Sequence, residues 1–155
     1  MATEYPTNNS DADNQAVNKV LDKGGEVREG EELDVKAVSE WLREQGVNIE
    51  GKPTVTQFSG GASNWTYRLQ YNGEGTDQDL ILRRPPKGTK AKSAHDMVRE
   101  YTVQEALKDA YPYVPKMVAL CTDEDVIGAD FDVMERMEGI IPRANLPQGV
   151  DLDPQ

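Results

Sequence analysis

Seven residues, Trp65-Thr66-Tyr67-Arg68-Leu69-Gln70-Tyr71, alternate large apolar side chains with polar ones. A strand turns successive side chains to opposite faces. This period of two therefore specifies a half-buried β-strand whose register cannot slip by one residue without exposing every apolar group in it. Turn chemistry brackets the run, with Ser59-Gly60-Gly61-Ala62-Ser63-Asn64 before it and Asn72-Gly73-Glu74-Gly75 after it. Val55 and Phe58 mark a short extended run upstream. Leu80-Ile81-Leu82-Arg83 marks another downstream, stopped by Pro85-Pro86. Three strands with short connections predict an antiparallel meander.

Helices flank the meander. Asp34 is a good N-cap, Val35, Val38, Trp41 and Leu42 recur at helical spacing, and Gly46 stops the pattern. The prediction is a helix over about 34–45 with its Trp41 face buried. A second helix is expected from Ser93, with Asp96 completing a box-like cap. Its apolar face is defined by Met97, Glu100, Val103, Leu107 and Ala110, and Pro112 and Pro115 end it. Two further strands, 116–121 and 131–137, are joined by the acidic turn Thr122-Asp123-Glu124-Asp125. The element order is helix, three strands, helix, two strands.

Charge decides what the rest can do. The chain has 155 residues, 28 acidic and 17 basic side chains and a net charge of -11, which argues against nucleic-acid binding because phosphate neutralisation needs a basic surface. Hydrophobic residues are only 37%, low for a fully packed globule, so part of the chain is expected to stay outside the core. Residues 1–33 hold eight acids and few large apolar groups. The reading is a disordered acidic tail over 1–30, an ordered domain over 31–139 and a proline-punctuated linker over 140–155. No apolar run approaches the roughly 20 residues that span a bilayer, and the N-terminus lacks a signal peptide's basic and apolar regions. A soluble, cytoplasmic protein without a membrane partner is the expectation. The single cysteine, Cys121, reads as a small core hydrophobe.

Three features carry chemistry together. The Gly-Gly turn from Ser59 to Asn64 could let backbone amides approach a phosphate, although alone it could equally be a tight turn. Arg83 ends an apolar strand on the face of Ile81, where a solvent-exposed arginine is the plainer alternative. Glu100 sits on an apolar helix face, where a carboxylate is costly unless paired. A strand cation paired with a helix carboxylate beneath a glycine-rich hairpin is how kinases hold nucleotide phosphates. The competing reading is an ion pair that merely orients the helix. Lys87, Lys90 and Lys92 extend the basic stretch begun by Arg83 and Arg84, as an anion attractor or a solvated loop. His95, in the first helical turn, reads as structural.

The runs Gln57-Phe58-Ser59-Gly60-Gly61-Ala62-Ser63-Asn64, Leu82-Arg83-Arg84-Pro85-Pro86 and Ser93-Ala94-His95-Asp96-Met97-Val98-Arg99-Glu100-Tyr101 resemble the aminoglycoside phosphotransferase-like family. So do Val114-Pro115-Lys116, Ala119-Leu120-Cys121, Val126-Ile127-Gly128 and Phe131-Asp132-Val133-Met134-Glu135. The match is best to the branch related to kinase-like domains fused to acyl-CoA dehydrogenases, and it covers about residues 27–143. The resemblance implies an α+β fold, a five-stranded antiparallel sheet with a packed helix as in the N-terminal lobe of protein kinases, plus an extra N-terminal helix. It implies binding of ATP or another NTP with Mg2+. Ser59, Gly60, Gly61, Ser63 and Asn64 would cover the nucleotide, and Ile81 would line the adenine pocket. Arg83 would replace the usual strand lysine and Glu100 would be its partner. Met134, Glu135 and Met137 would form the hinge at the adenine edge.

The catalytic loop of that family, His-Gly-Asp followed by Asn, and its later metal-binding Asp have no counterpart in the 155 residues. The expectation is therefore an N-terminal lobe that is inactive alone, from a parent phosphorylating a small hydroxylated substrate bound by a second lobe. An unpartnered inner face would also favour weak self-association. The alternative is a non-catalytic regulatory or partner-binding module with the same fold.

Overall fold

The computed structural model describes residues 24–59, 64–74, 78–88 and 92–139, with backbone alone for 92–96. Residues 1–23 of the tail predicted over 1–30, the glycines of the first hairpin and the predicted linker over 140–155 lie outside the described residues. The fold below is the unit Gly24–Met137.

Five antiparallel strands form one sheet in the order β1-β2-β3-β5-β4. They are β1 (Thr54–Gln57), β2 (Trp65–Gln70), β3 (Asp79–Arg84), β4 (Met117–Cys121) and β5 (Phe131–Glu135). The meander read from the sequence is β1-β2-β3, and β5 enters between β3 and β4. Register follows the period-two pattern. Tyr67 faces Leu82, Leu69 faces Leu80, and Leu82 faces Val133 across the strands. These five and Phe131 are completely buried.

What buries them is helix α1 (Val35–Glu44). Val38 and Leu42, both fully buried, join the same cluster, and Trp41 meets Phe131 edge-on at 5.0 Å between ring centroids. The helix stands between the caps expected for it. The Asp34 carboxylate accepts from the Ala37 N–H at 3.0 Å. At the other end Gly46, at φ 84°, lets its N–H reach the Arg43 carbonyl while Val47 N–H reaches Leu42, a Schellman closure. Cys121 is buried in this core, as expected.

Order starts earlier than the composition suggests. Gly25 and Gln57 exchange backbone hydrogen bonds of 2.8 and 2.9 Å, so residues 24–33 cover the free edge of β1. Gln57 is buried, accepts from the Arg28 N–H at 2.9 Å and donates to Glu31, whose carbonyl accepts from the Tyr67 hydroxyl at 2.6 Å. Gly24 is required by proximity, since a Cβ there would lie 2.5 Å from the Thr56 hydroxyl oxygen. Backbone pairing supplies the order that the apolar content of residues 24–30 could not.

The opposite face of the sheet carries helix α2 (Lys92–Leu107), packed on β4 and β5. The helix begins at Lys92, so Ser93 lies within its first turn and is not its cap. Met97 is buried, but Val103 and Leu107, expected on the same buried face, are 51% and 41% exposed. A 16-residue helix is about 24 Å long, several strand spacings, and the turns that carry Met97 and Glu100 meet the sheet while Val103 and Leu107 lie beyond them. The acidic segment 122–125 is more than a turn. Asp123 accepts from the Asp125 N–H at 2.9 Å and caps a short helix α3 (Glu124–Ile127), which Gly128 closes at φ 78°. Acids in a first helical turn are favoured by the helix dipole.

Truncating Leu42 to alanine should therefore cost about 2–5 kcal/mol, the range for a buried leucine. Truncating Val103 should change stability by roughly 0.5 kcal/mol or less. Urea denaturation checks both, and equal losses would refute the assignment of faces.

Candidate functional site

The site follows from the alternation of β3. Leu80, Leu82 and Arg84 point into the α1 core, leaving Ile81 and Arg83 on the α2 face. Arg84 is 3% exposed, lies over the Trp65 ring at 5.5 Å and donates to the Ile127 carbonyl at 3.3 Å; burial lowers its pKa. It is a structural cation of the core. Its neighbour Arg83 instead meets Glu100 of α2, with 2.7 Å between guanidinium nitrogen and carboxylate oxygen. Both side chains are half-buried, where a charge-assisted bond is less screened than at the surface.

Strand register gathers the other residues of this face. Thr66, Arg83 and Asp132 are mutual partners across β2, β3 and β5, as are Arg68, Ile81 and Met134. Ile81 is half-buried and Met134 buried. Beyond Met134 the chain is held at both sides. Glu135 donates its N–H to the Lys116 carbonyl at 2.9 Å and its carboxylate meets the Lys116 ammonium at 3.2 Å. Arg136 N–H reaches the Asp79 carbonyl at 3.1 Å, and Asp79 also takes a bidentate Arg68 at 2.8 Å. Met137 follows, 48% exposed.

Ser59 and Asn64 bound the β1–β2 connection, and Gly60, Gly61 and Ser63 lie outside the described residues. Phe58 N–H bonds the Thr66 carbonyl at 2.9 Å, and Thr66 is the partner of Arg83. The hairpin end is thereby fixed at the Arg83 end of β3. Of the basic stretch, Lys87 donates to the Gly30 carbonyl at 3.3 Å, which ties it to the segment before α1. Lys90 and the side chains of Lys92 and His95 lie outside the described residues.

Sequence reasoning missed Asp132. It is completely buried, and among the described residues neither of its oxygens has a hydrogen-bond partner. Its carboxyl is pushed up to about 6 from an ordinary 3.8, chiefly by burial, with the Arg83 charge opposing the rise and Glu100 adding to it. The signal in the sequence was an acid between apolar neighbours in Phe131-Asp132-Val133-Met134. Among the described residues no group of three or more His, Cys, Asp or Glu could hold a metal ion. A cavity of about 300 Å³ is lined by Lys36, Ser39 and Arg43 of α1 with Lys52, and contains none of these site residues.

Residues 54–154 match the phosphotransferase enzyme family. The chain belongs to that family. It is 42% identical over 99 residues to acyl-CoA dehydrogenase family member 11 of Gallus gallus, covering 63% of this chain and 12% of that protein. It is 35% identical over 122 residues to the Homo sapiens protein of that name, covering 76% of this chain and 15% of that one. The chain thus spans less than a sixth of these relatives. A Ralstonia eutropha crystal structure assigned as an aminoglycoside phosphotransferase superposes with a TM-score of 0.58 and 33% identity, over 72% of this chain and 30% of that one. The α+β fold expected from the sequence is the one found, with the five-stranded antiparallel sheet and its helices matching the kinase-like fold of that neighbour.

A carboxyl raised above its unfolded value stabilises this phosphotransferase-family fold fully below about pH 4, and the contribution is lost as pH rises through about 6. Relative to Asp132→Asn, the native chain should lose about 2–3 kcal/mol between pH 4 and 7.5. Denaturation at several pH values tests this, and parallel curves for the two proteins would contradict it.

Proposed function

We propose that this lobe binds the phosphates of a nucleotide, ATP or another NTP with Mg2+, as part of an enzyme that phosphorylates a hydroxyl of a small molecule. The observation that carries the reading is the Arg83–Glu100 pair at 2.7 Å, set by register beside the hairpin end in a phosphotransferase-family chain. The roles follow from chemistry. Glu100 holds the guanidinium toward the α2 face, and an arginine's planar fork of donors is suited to phosphate oxygens. Ile81 and Met134 offer adjacent apolar surface suited to a purine ring, and the chain from Glu135 to Met137 offers backbone groups to its edge. The loop from Ser59 to Asn64 would cover the phosphates.

Magnesium has no set of ligands among the described residues, so no step is drawn through it. The 155 residues hold one histidine and no His-Gly-Asp run, so phosphoryl transfer is assigned to the parent and the chain alone is read as inactive. The small hydroxylated substrate and a cytoplasmic setting belong to the same proposal.

Nucleotide titration by calorimetry tests it. Arg83→Ala should weaken ATP binding roughly 10- to 100-fold, as expected for one charge-assisted contact, while Arg83→Lys should retain part of it. ATP with magnesium and hydroxylated acceptors should give no turnover with the isolated chain. Arg83→Ala binding like the native protein would overturn the phosphate role.

A second reading, a regulatory or partner-binding module, is favoured by the exposed apolar residues Val98, Val103 and Leu107 of α2 with Tyr111 and Tyr113 beyond it. Such a surface supports weak self-association. Light scattering at high concentration should then give a mass above that of one 17.2 kDa chain, and a strictly monomeric mass would count against it.

A further inference from the structure

One charged group on the α2 face has no place in the roles above. Asp132 lies across β5 from Arg83, and directly opposed residues of antiparallel strands have Cβ atoms roughly 4.5–5.5 Å apart. Arg83 is already engaged by Glu100. One guanidinium therefore lies beside two carboxylates, bonded to one of them, and the other is fully buried with no hydrogen bond to either oxygen among the described residues. The charged groups acting on Asp132 are Arg83 from β3 and Glu100 from α2. Its partner on β4 is the uncharged Leu120.

With both carboxylates ionised, this trio carries one excess negative charge in a poorly hydrated place. A nucleotide phosphate brought to Arg83 would add more negative charge close by, where repulsion is weakly screened. Protonating Asp132 removes that excess and converts an acceptor-only carboxylate into a hydrogen-bond donor.

We propose that Asp132 is a proton-coupled member of the phosphate site, taking up a proton when a nucleotide phosphate meets Arg83. The proton comes from solvent and adds to one carboxyl oxygen, and no other bond is made or broken. This deepens the nucleotide-binding reading and rests on it. The residue acts on the ligand through charge and does not touch the adenine surface of Ile81 and Met134. The upward displacement of the Asp132 carboxyl to about 6 in the free protein puts the exchange within reach of ordinary solution conditions.

The test is calorimetric titration of the full 155-residue chain with ADP at pH 6, 7 and 8, beside Asp132→Asn and, should that variant fold poorly, Asp132→Leu. Each pH is run in two buffers of different ionisation enthalpy, so that protons taken up are counted. Protonation of ADP itself is common to all proteins and cancels in the comparison. Relative to the variants, the native chain should bind about fivefold more tightly at pH 6 than at pH 8, the change given by a one-unit rise in the carboxyl's pKa on binding. It should also take up additional protons, and at pH 8 the variants should bind more tightly than the native chain. Parallel pH profiles with equal proton counts, in a protein whose ADP binding is still weakened by Arg83→Ala, would overturn the role of Asp132 alone. ADP binding that ignores Arg83→Ala, or no binding by any variant at any pH, would overturn the nucleotide reading and this proposal with it.

Discussion

The fold depends on the direction in which each residue of β3 points. A strand in the middle of a sheet must satisfy both faces at once. Here one face is built of Leu80, Leu82 and Arg84 against α1, and the other of Ile81 and Arg83 toward α2. The two adjacent arginines illustrate the constraint. Arg84 is immobilised in the core by an aromatic ring and a carbonyl. Arg83, 180° away in side-chain direction, is left for the site. A slip of one residue would exchange their places and turn Arg83 into the core.

The two helices are held by different physics. Helix α1 is anchored chiefly by apolar burial with both ends capped, and one buried hydrogen bond of 2.9 Å joins the Ser39 and Tyr71 hydroxyls. Helix α2 buries Met97 but leaves Val98, Val103 and Leu107 well exposed, so apolar packing constrains it less. The Arg83–Glu100 pair supplies a directional contact between this helix and the sheet. A half-buried ion pair contributes little net stability, because desolvation offsets much of its attraction, yet removing one partner leaves the other uncompensated. Its value here is therefore in position. It sets where α2 lies relative to β3, and with it where a cation faces the hairpin end.

Much of this was legible in the chain. The alternation from Trp65 to Tyr71 gave the strand and its faces, Asp34 and Gly46 gave the helix between them, and the isolated carboxylate at Glu100 pointed to its cation. These signals are local, or they depend on one costly group needing one partner. The misreadings arose where the deciding interaction was distant or depended on reach. Residues 24–30 are ordered by pairing with β1, which their own composition does not reveal. Val103 and Leu107 keep the helical period of a buried face, but periodicity does not say how far the sheet beneath extends. Asp132 went unnoticed because an acid inside a strand reads as the outward half of an alternation, whereas β5 lies between β3 and β4 and is buried on both sides.

On the proposed nucleotide reading, an arginine where kinases carry a strand lysine gains a physical meaning from that buried acid. A lysine placed among partly desolvated groups can lose its proton, so a lysine and a carboxylate in one site could both exchange protons. A guanidinium stays charged under all ordinary conditions. Beside the Arg83–Glu100 pair lies Asp132, whose burial favours the neutral form. An arginine also presents several donors in one plane, enough to hold a helix carboxylate and still meet a second anion. The identity of residue 83 and the burial of residue 132 are thus two parts of one electrostatic arrangement, in which the cation is constant and the nearby negative charge is adjustable.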